Sequence, residues 1–453
     1  VQEAQRHEAE MRENHYDVIV VGGGPGGCTA AQRLGAGGKQ VLLIEQAQLG
    51  GLCLNHGCIP TKALLASAKL YASMATAARF GVVVDNARLD WRAAVARKRG
   101  VVNMLRDGAA YQMSERGVTV MHGDAFLVDR RTVQVEQTRL TCDALIIATG
   151  STPRKPNIDG VDQPHVITTS ELLDLEILPP QVTILGAEPI ALVVASLLAL
   201  AGVPVDMVSE QAALLPDIDA DIVNTLKLEL KGVRLHLQSQ VTRIEREQVV
   251  CADATIPSRL VVAVAGRTPN VRGLGLERLG IDYSDDGVLV DAQGRTNVPN
   301  VYAVGDVTGK TMWAHHAIRA GEIAANTILG VRDQRRDALM PTVIYTYPEI
   351  AVVGLTENAA QAQGYAVTTA RLPFNANGRF LTDNDGKRGL CKVVLDARTE
   401  RLLGVHMISP NASEAISTAV TMLADEFRAV DVSQLPFAHP TMSEVLKDAV
   451  LNM

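Results

Sequence analysis

The sequence predicts an α/β protein on three observations: a strand, glycine turn, helix and strand over residues 16–45, a second segment of the same shape over 181–210, and a tail beyond about residue 340 in which apolar strands alternate with helices. The first two imply parallel sheets, because a strand–helix–strand crossover lays its two strands side by side in one direction. The tail reads as an α+β unit.

In the first segment, "YDVIVVGGGPGGCTAAQRL" supplies an apolar strand, the turn and a small-residue helix, and "QVLLIE" supplies the next strand, ending at Glu45. Gly22, Gly24 and Gly27 fit the dinucleotide fingerprint of a Rossmann-like unit. The first makes the tight turn, the second lets the backbone approach a pyrophosphate, and the third allows close helix packing. The phosphates would rest on the helix N-terminus. Glu45 follows roughly 20 residues later, where an acidic side chain takes ribose hydroxyls.

The second segment, "QVTILGAEPIALVVASLLALAGVPVDMVSE", repeats the plan with Gly186 in the turn and Glu210 at the end of its second strand. Between the copies, "DALIIATGSTPRKP" is a strand closed by a turn and reads as a crossing between domains, and "VVAVAGRTPN", which contains Gly266, has the same shape. "TNVPNVYAVGDVTG" presents a strand ending in Gly305 and Asp306. In the tail, "TVIYTYPEIAVVGL", "GLCKVVLD" and "LLGVHMIS" read as strands, interleaved with helices such as 411–427.

With 453 residues the chain is too long for one ordinary domain. Its hydrophobic share of 47%, charged share of 21% and net charge of -7 are those of a soluble globular protein with no basic stripe for nucleic acid. No apolar run is long enough to span a membrane, and the polar N-terminal stretch does not read as a signal peptide, so the expectation is a cytoplasmic protein. Six cysteines do not make a disulfide scaffold, and Cys28, Cys142, Cys251 and Cys391 have no metal-like spacing.

Cys53 and Cys58 differ from these, lying close together in "GGLCLNHGCIPTKALL". On a distorted helix start this spacing brings two Cβ atoms within disulfide reach. Pro60 suits a first helical turn, and the charge of Lys62 would lower the pKa of a nearby thiol. Two buried thiols remain the plain alternative. A zinc site would need two further ligands, and His56 alone does not complete one.

The segments "GGGPGG", "GGLCLNHGCIPTKALL", "IIATGSTP", "VAGRTPN", "YAVGD" with "WAHHAIRAGEIAA", "YTYPEIAVVG" and "FAHPTMSE" run in order from Tyr16 to the C-terminus. Together they resemble the flavin-dependent pyridine nucleotide-disulfide oxidoreductases, and among them the dihydrolipoamide dehydrogenases. The resemblance implies a homodimer with an FAD-binding domain (16–155), an NAD-binding-like domain inserted in it (156–275), a central segment returning to the FAD (276–340) and a dimer-interface domain (341–453). It implies FAD held by Gly22, Gly24, Gly27, Glu45, Thr149, Gly150 and Asp306. NAD would lie against Gly186, Glu210 and Gly266. Cys53 would exchange with substrate, Cys58 would face the flavin and Lys62 would stand beside its N5. His439 would take the dithiol's proton in the opposite subunit, oriented by Glu444. The expected partner is a lipoyl-carrying protein or a 2-oxoacid dehydrogenase type complex.

Two residues depart from that pattern. Glu188 stands where the second turn wants glycine, and a like-charge pair ~4 Å apart at an effective dielectric of ~20 costs ~4 kcal/mol. Either the carboxylate caps the helix that starts at Pro189, or it swings outward and NAD binds more weakly. Val193 stands where the family places a glutamate that pairs with the lysine matching Lys62. Three readings follow: a dihydrolipoamide dehydrogenase passing electrons through FAD to NAD, a lipoamide-linked flavoprotein serving another acceptor, and a non-catalytic FAD-binding subunit.

Overall fold

The computed structural model describes residues 14–384 and 386–452; the N-terminal leader lies outside the described residues. The first unit contains β1 (His15–Val21), α1 (Pro25–Ala36), β2 (Val41–Glu45), α2 (Gly51–His56), α3 (Cys58–Met74) and four further strands: β3 (Val118–His122), β4 (Ala125–Asp129), β5 (Thr132–Val135) and β6 (Thr138–Ile147). Its sheet has the order β3-β2-β1-β6-β5-β4. β1, β2, β3 and β6 run parallel, in register from Val18 against Val41 and Val18 against Ala144. All five residues of β2 are buried. A strand covered on both faces has no solvent side to alternate toward, which is why "VLLIE" reads as a continuous apolar run.

The second unit repeats the arrangement with β7 (Val182–Leu185), α4 (Pro189–Leu200), β8 (Val205–Ser209), β9 (Val233–Leu237) and β10 (Val261–Ala263). Its parallel sheet runs β9-β8-β7-β10, with Val166–Ile167 on the edge. The chain then returns to the first sheet, where β11 (Val301–Ala303) pairs parallel with the last residues of β6. The second dinucleotide-binding domain is thus inserted in the first. Its two crossings lie side by side as antiparallel partners, Ser151–Pro153 against Arg267–Pro269.

α5 (Ala314–Ile328) crosses α1 at a point where neither tolerates a side chain. A Cβ on Gly321 would meet the Gly26 carbonyl oxygen at 2.3 Å. The C-terminal unit is an antiparallel sheet of β12 (Thr342–Ile344), β13 (Glu349–Gly354), β14 (Val367–Pro373), β15 (Leu390–Asp396) and β16 (Leu402–Ser409), in the order β12-β13-β16-β15-β14. The segment read as continuous from 342 to 355 breaks around the cis Tyr347–Pro348 bond into β12 and β13.

The period-two geometry of β13 divides its residues between two cores. Ala351 and Val353 pack with α6 (Ala412–Ala424) and α7 (Glu444–Leu451), while Ile350 and Val352 pack with Leu192 and Leu198 of α4. The second unit therefore rests on the C-terminal sheet through a shared apolar core. At about 1.5–3 kcal/mol per fully buried aliphatic side chain, this contact holds the two units in one arrangement.

Candidate active site

The first glycine turn has the shape a dinucleotide needs. Gly22 has φ +107° and Gly27 faces it so closely that a Gly27 Cβ would sit 1.9 Å from the Gly22 carbonyl oxygen. Around Gly24, by contrast, a Cβ would meet nothing within 4 Å. Two of the three glycines are thus demanded by packing and the third faces open space, into which the α1 N-terminus points. Glu45 accepts from Gly23 N–H at 2.6 Å and Ala47 N–H at 2.8 Å. A carboxylate has about four acceptor positions, so two stay free for hydroxyl donors. These residues fit the adenosine and pyrophosphate portions of FAD.

The wall of that site is built by the paired crossings. Thr149 Oγ1 donates to the Asn270 carbonyl and Asn270 Nδ2 donates back to the Thr149 carbonyl, both at 2.8 Å. Gly150 adopts φ +70° with nothing within 4 Å of its Cβ position. Asp306 accepts from Ser151 Oγ at 2.5 Å and lies 3.8 Å from Arg267, which itself donates to Ser151. Sequence reasoning singled out Asp306 and missed Ser151 and Arg267. Both stood inside quoted motifs, but nothing local marks their side chains as partners of a residue far along the chain.

Cys53 and Cys58 form a disulfide, with Cα atoms 4.7 Å apart. Cys53 lies on α2 and Cys58 opens α3; Gly57, with φ -132° and ψ -97°, breaks the helix between them. Both cysteines are partly exposed. One turn along α3, Lys62 Nζ sits 3.8 Å from the centre of the Tyr345 ring. Burial pushes this lysine down to about 8, with Glu349 opposing and Lys69 reinforcing the shift. Lys62 has no ion-pair partner among the described residues. Val193 packs in the same cluster as Leu64, Leu197 and Tyr345, so the apolar replacement is filled in by an aromatic face. Lys69, two turns further along α3, pairs with the buried Glu349 at 3.1 Å.

His439 lies beyond the sheet on the approach to α7. Its ring is 81% exposed, and Nδ1 is 3.0 Å from Glu444 Oε1. Glu444 Oε2 accepts from Thr441 N–H at 2.7 Å; that amide first, and His439 second, hold the Glu444 carboxyl below the usual carboxylate range. Among the described residues, no hydrogen bond links His439 to the cysteine pair. The imidazole is oriented by Glu444 and faces outward.

The sequence matches one family across most of the chain: residues 16–321 match pyridine nucleotide-disulphide oxidoreductase, and residues 340–450 match that family's dimerisation domain. The chain belongs to the pyridine nucleotide-disulphide oxidoreductases. Members of this family use FAD and NAD, and the dimerisation domain supports a homodimer. Dihydrolipoyl dehydrogenase from Chlamydia muridarum is 33% identical over 448 residues, covering 96% of each chain. Among solved structures, the HOCl-induced flavoprotein disulfide reductase RclA from Escherichia coli is 29% identical with a TM-score of 0.87, covering 96% of this chain and 99% of its own. LpdA from Mycobacterium tuberculosis is 26% identical with a TM-score of 0.89 over 96% of this chain and 99% of its own. The protein is an FAD-dependent disulfide oxidoreductase by family. Among the described residues, no helix is long and apolar enough to cross a membrane.

Its second turn does not fit a nicotinamide dinucleotide as the first fits FAD. Pro189 is the first residue of α4 and Glu188 precedes it, but the Glu188 side chain makes no capping hydrogen bond. It folds inward over Gly186 instead, so the expected helix cap is not made and the outward swing does not occur. Glu210 is exposed just past the end of β8, and Gly266 holds φ +81° where its carbonyl accepts from Arg154 N–H at 3.0 Å.

Proposed function

We propose that this flavoprotein oxidises a dihydrolipoyl-type dithiol carried by a partner protein, through the Cys53–Cys58 disulfide. The observation that carries the reading is that disulfide itself, partly exposed on two helix ends beside a turn fitted for FAD. In the reaction a substrate thiolate attacks Cys53 Sγ and the S–S bond breaks, releasing the Cys58 thiolate. The second substrate thiolate then attacks the substrate sulfur of the mixed disulfide. A cyclic disulfide leaves, Cys53 is released as thiolate, and two electrons have entered the cysteine pair.

The substrate dithiol gives up two protons in this exchange, and the partner subunit's His439 is the base proposed for the first. Glu444 orients the imidazole and stabilises its charged form, which also makes the homodimer necessary for activity. Bound FAD supplies a two-electron acceptor for the reduced pair. Lys62 places a positive charge along α3 on the same side as Cys58, one turn away, where it favours the thiolate over the thiol.

A second reading, in which electrons leave the flavin for a carrier other than a nicotinamide, is favoured by Glu188 and Val193. Anaerobic addition of dihydrolipoamide and, separately, of NADH to the FAD-loaded protein tests both. Changes in the flavin's visible absorbance with both support the first reading, and a change with dihydrolipoamide alone supports the second. No change with dihydrolipoamide would remove the dithiol reading.

A further inference from the structure

Among the differences between the turns of the two Rossmann-like units, Glu188 stands at the position equivalent to Gly24. A Cβ at Gly24 would meet nothing within 4 Å, whereas Glu188 lies back across its own turn, with Oε2 2.5 Å from the place a Gly186 Cβ would take. That oxygen is buried without a hydrogen-bond partner. An unpaired buried acceptor forfeits the hydrogen bonds water would give it, so this position is held at a cost. The Glu188 side chain makes no capping hydrogen bond to the amides of the first turn of α4.

The surroundings are specific. Val264 on the neighbouring crossing closes the far side of the turn, its carbonyl oxygen 2.1 Å from the Gly186 Cβ position. The charged group that faces Glu188 is Arg154, which donates to the Ala265 carbonyl at 2.8 Å and favours the ionised carboxylate. The Ala187 and Glu188 backbone amides pull the same way, yet burial outweighs all three and pushes the Glu188 carboxyl up. A dinucleotide's pyrophosphate would bring two more negative charges to the same place and push it further.

We propose that Glu188 is the gate of the second dinucleotide site: its ionised carboxylate occupies the pyrophosphate position at the Gly186 turn, and a nicotinamide dinucleotide enters only as Glu188 takes up a proton. The ligand class rests on family membership. The proposal does not depend on the dithiol reading, since dinucleotide binding and dithiol oxidation are measured separately.

The test is calorimetric titration of the FAD-loaded dimer with NAD+, which does not reduce the oxidised enzyme, between pH 6 and 8 in two buffers of different protonation enthalpy. Up to one proton is taken up per NAD+ bound, and Kd weakens by up to about tenfold per pH unit. In Glu188→Gln the proton uptake disappears and Kd becomes independent of pH. Glu188→Gly gives the tightest binding at pH 8. Flavin content reports that each variant is folded. Equal, pH-independent Kd values in the wild type and Glu188→Gln overturn the proposal. So does failure of both variants to bind NAD+ at every pH, because the closure would then lie elsewhere than in the carboxylate.

Discussion

Gly24→Ala is expected to leave the fold intact and weaken FAD, whereas Gly27→Ala is expected to damage the fold. At Gly24 the backbone has φ -72° and ψ -177°, which alanine adopts without strain, and its Cβ would meet nothing. The apoprotein loses only the difference between glycine and alanine at a helix N-cap, about 0.5–1 kcal/mol. The same methyl would stand in the space proposed for the pyrophosphate. Overpacking there costs about 1–3 kcal/mol, weakening FAD roughly fivefold to a hundredfold or more. At Gly27 the methyl would lie 1.9 Å from the Gly22 carbonyl oxygen, backbone against backbone, where neither can rotate away. Opening that gap to a normal contact moves α1 off β1 and costs about 3 kcal/mol or more whether or not FAD is present. Melting of the apoproteins and titration of each with FAD separate the two effects. Wild-type FAD affinity in Gly24→Ala would show that the open face of this turn is not where the pyrophosphate lies.

The other predictions concern charge. His439→Gln should slow flavin reduction by dihydrolipoamide by about 10²- to 10⁴-fold, and Glu444→Gln by less, since the base survives without its orienting partner; stopped-flow rates at pH 7 with FAD content unchanged check this. Burial holds Lys62 at about 8 in the fold against 10.5 for the free side chain, so its charged form is penalised. The penalty is fully present below about pH 8 and is relieved as pH rises toward 10.5. It amounts to about 3 kcal/mol, offset in part by about 1–2 kcal/mol from the Tyr345 ring. Lys62→Met should therefore raise the melting temperature at pH 7, with the advantage fading by pH 10. Lys392 is buried against Asp219 at 2.8 Å, Asp221 at 2.9 Å and Glu357 at 2.8 Å, tying the second unit to the C-terminal sheet. Lys392→Met leaves the buried Asp219 without its cation, while Arg371 still pairs with Asp221 and Glu357, and should cost about 3–5 kcal/mol, read as a lower urea midpoint at pH 7.

Local spacing carried the fold and the position of the chemistry. The turns at Gly22 and Gly186, the strands they join and the closeness of Cys53 to Cys58 are set by residues near one another in the chain, where backbone geometry leaves few alternatives. Direction and partnership were decided by tertiary structure. Glu188 was legible as an obstacle, but whether it caps α4, swings out or folds over Gly186 depends on Val264 and Arg154, which arrive from the paired crossings. Lys62 was legible as a lysine without its expected carboxylate; that Tyr345 covers it follows from the C-terminal sheet packing against the second unit. Ser151, Arg267 and Asp306 meet for the same reason, since the two crossings that pair are separated in the chain by the whole inserted domain. A spacing is written along the chain, whereas the partner of a buried charge is chosen by whichever distant element the packed cores bring against it.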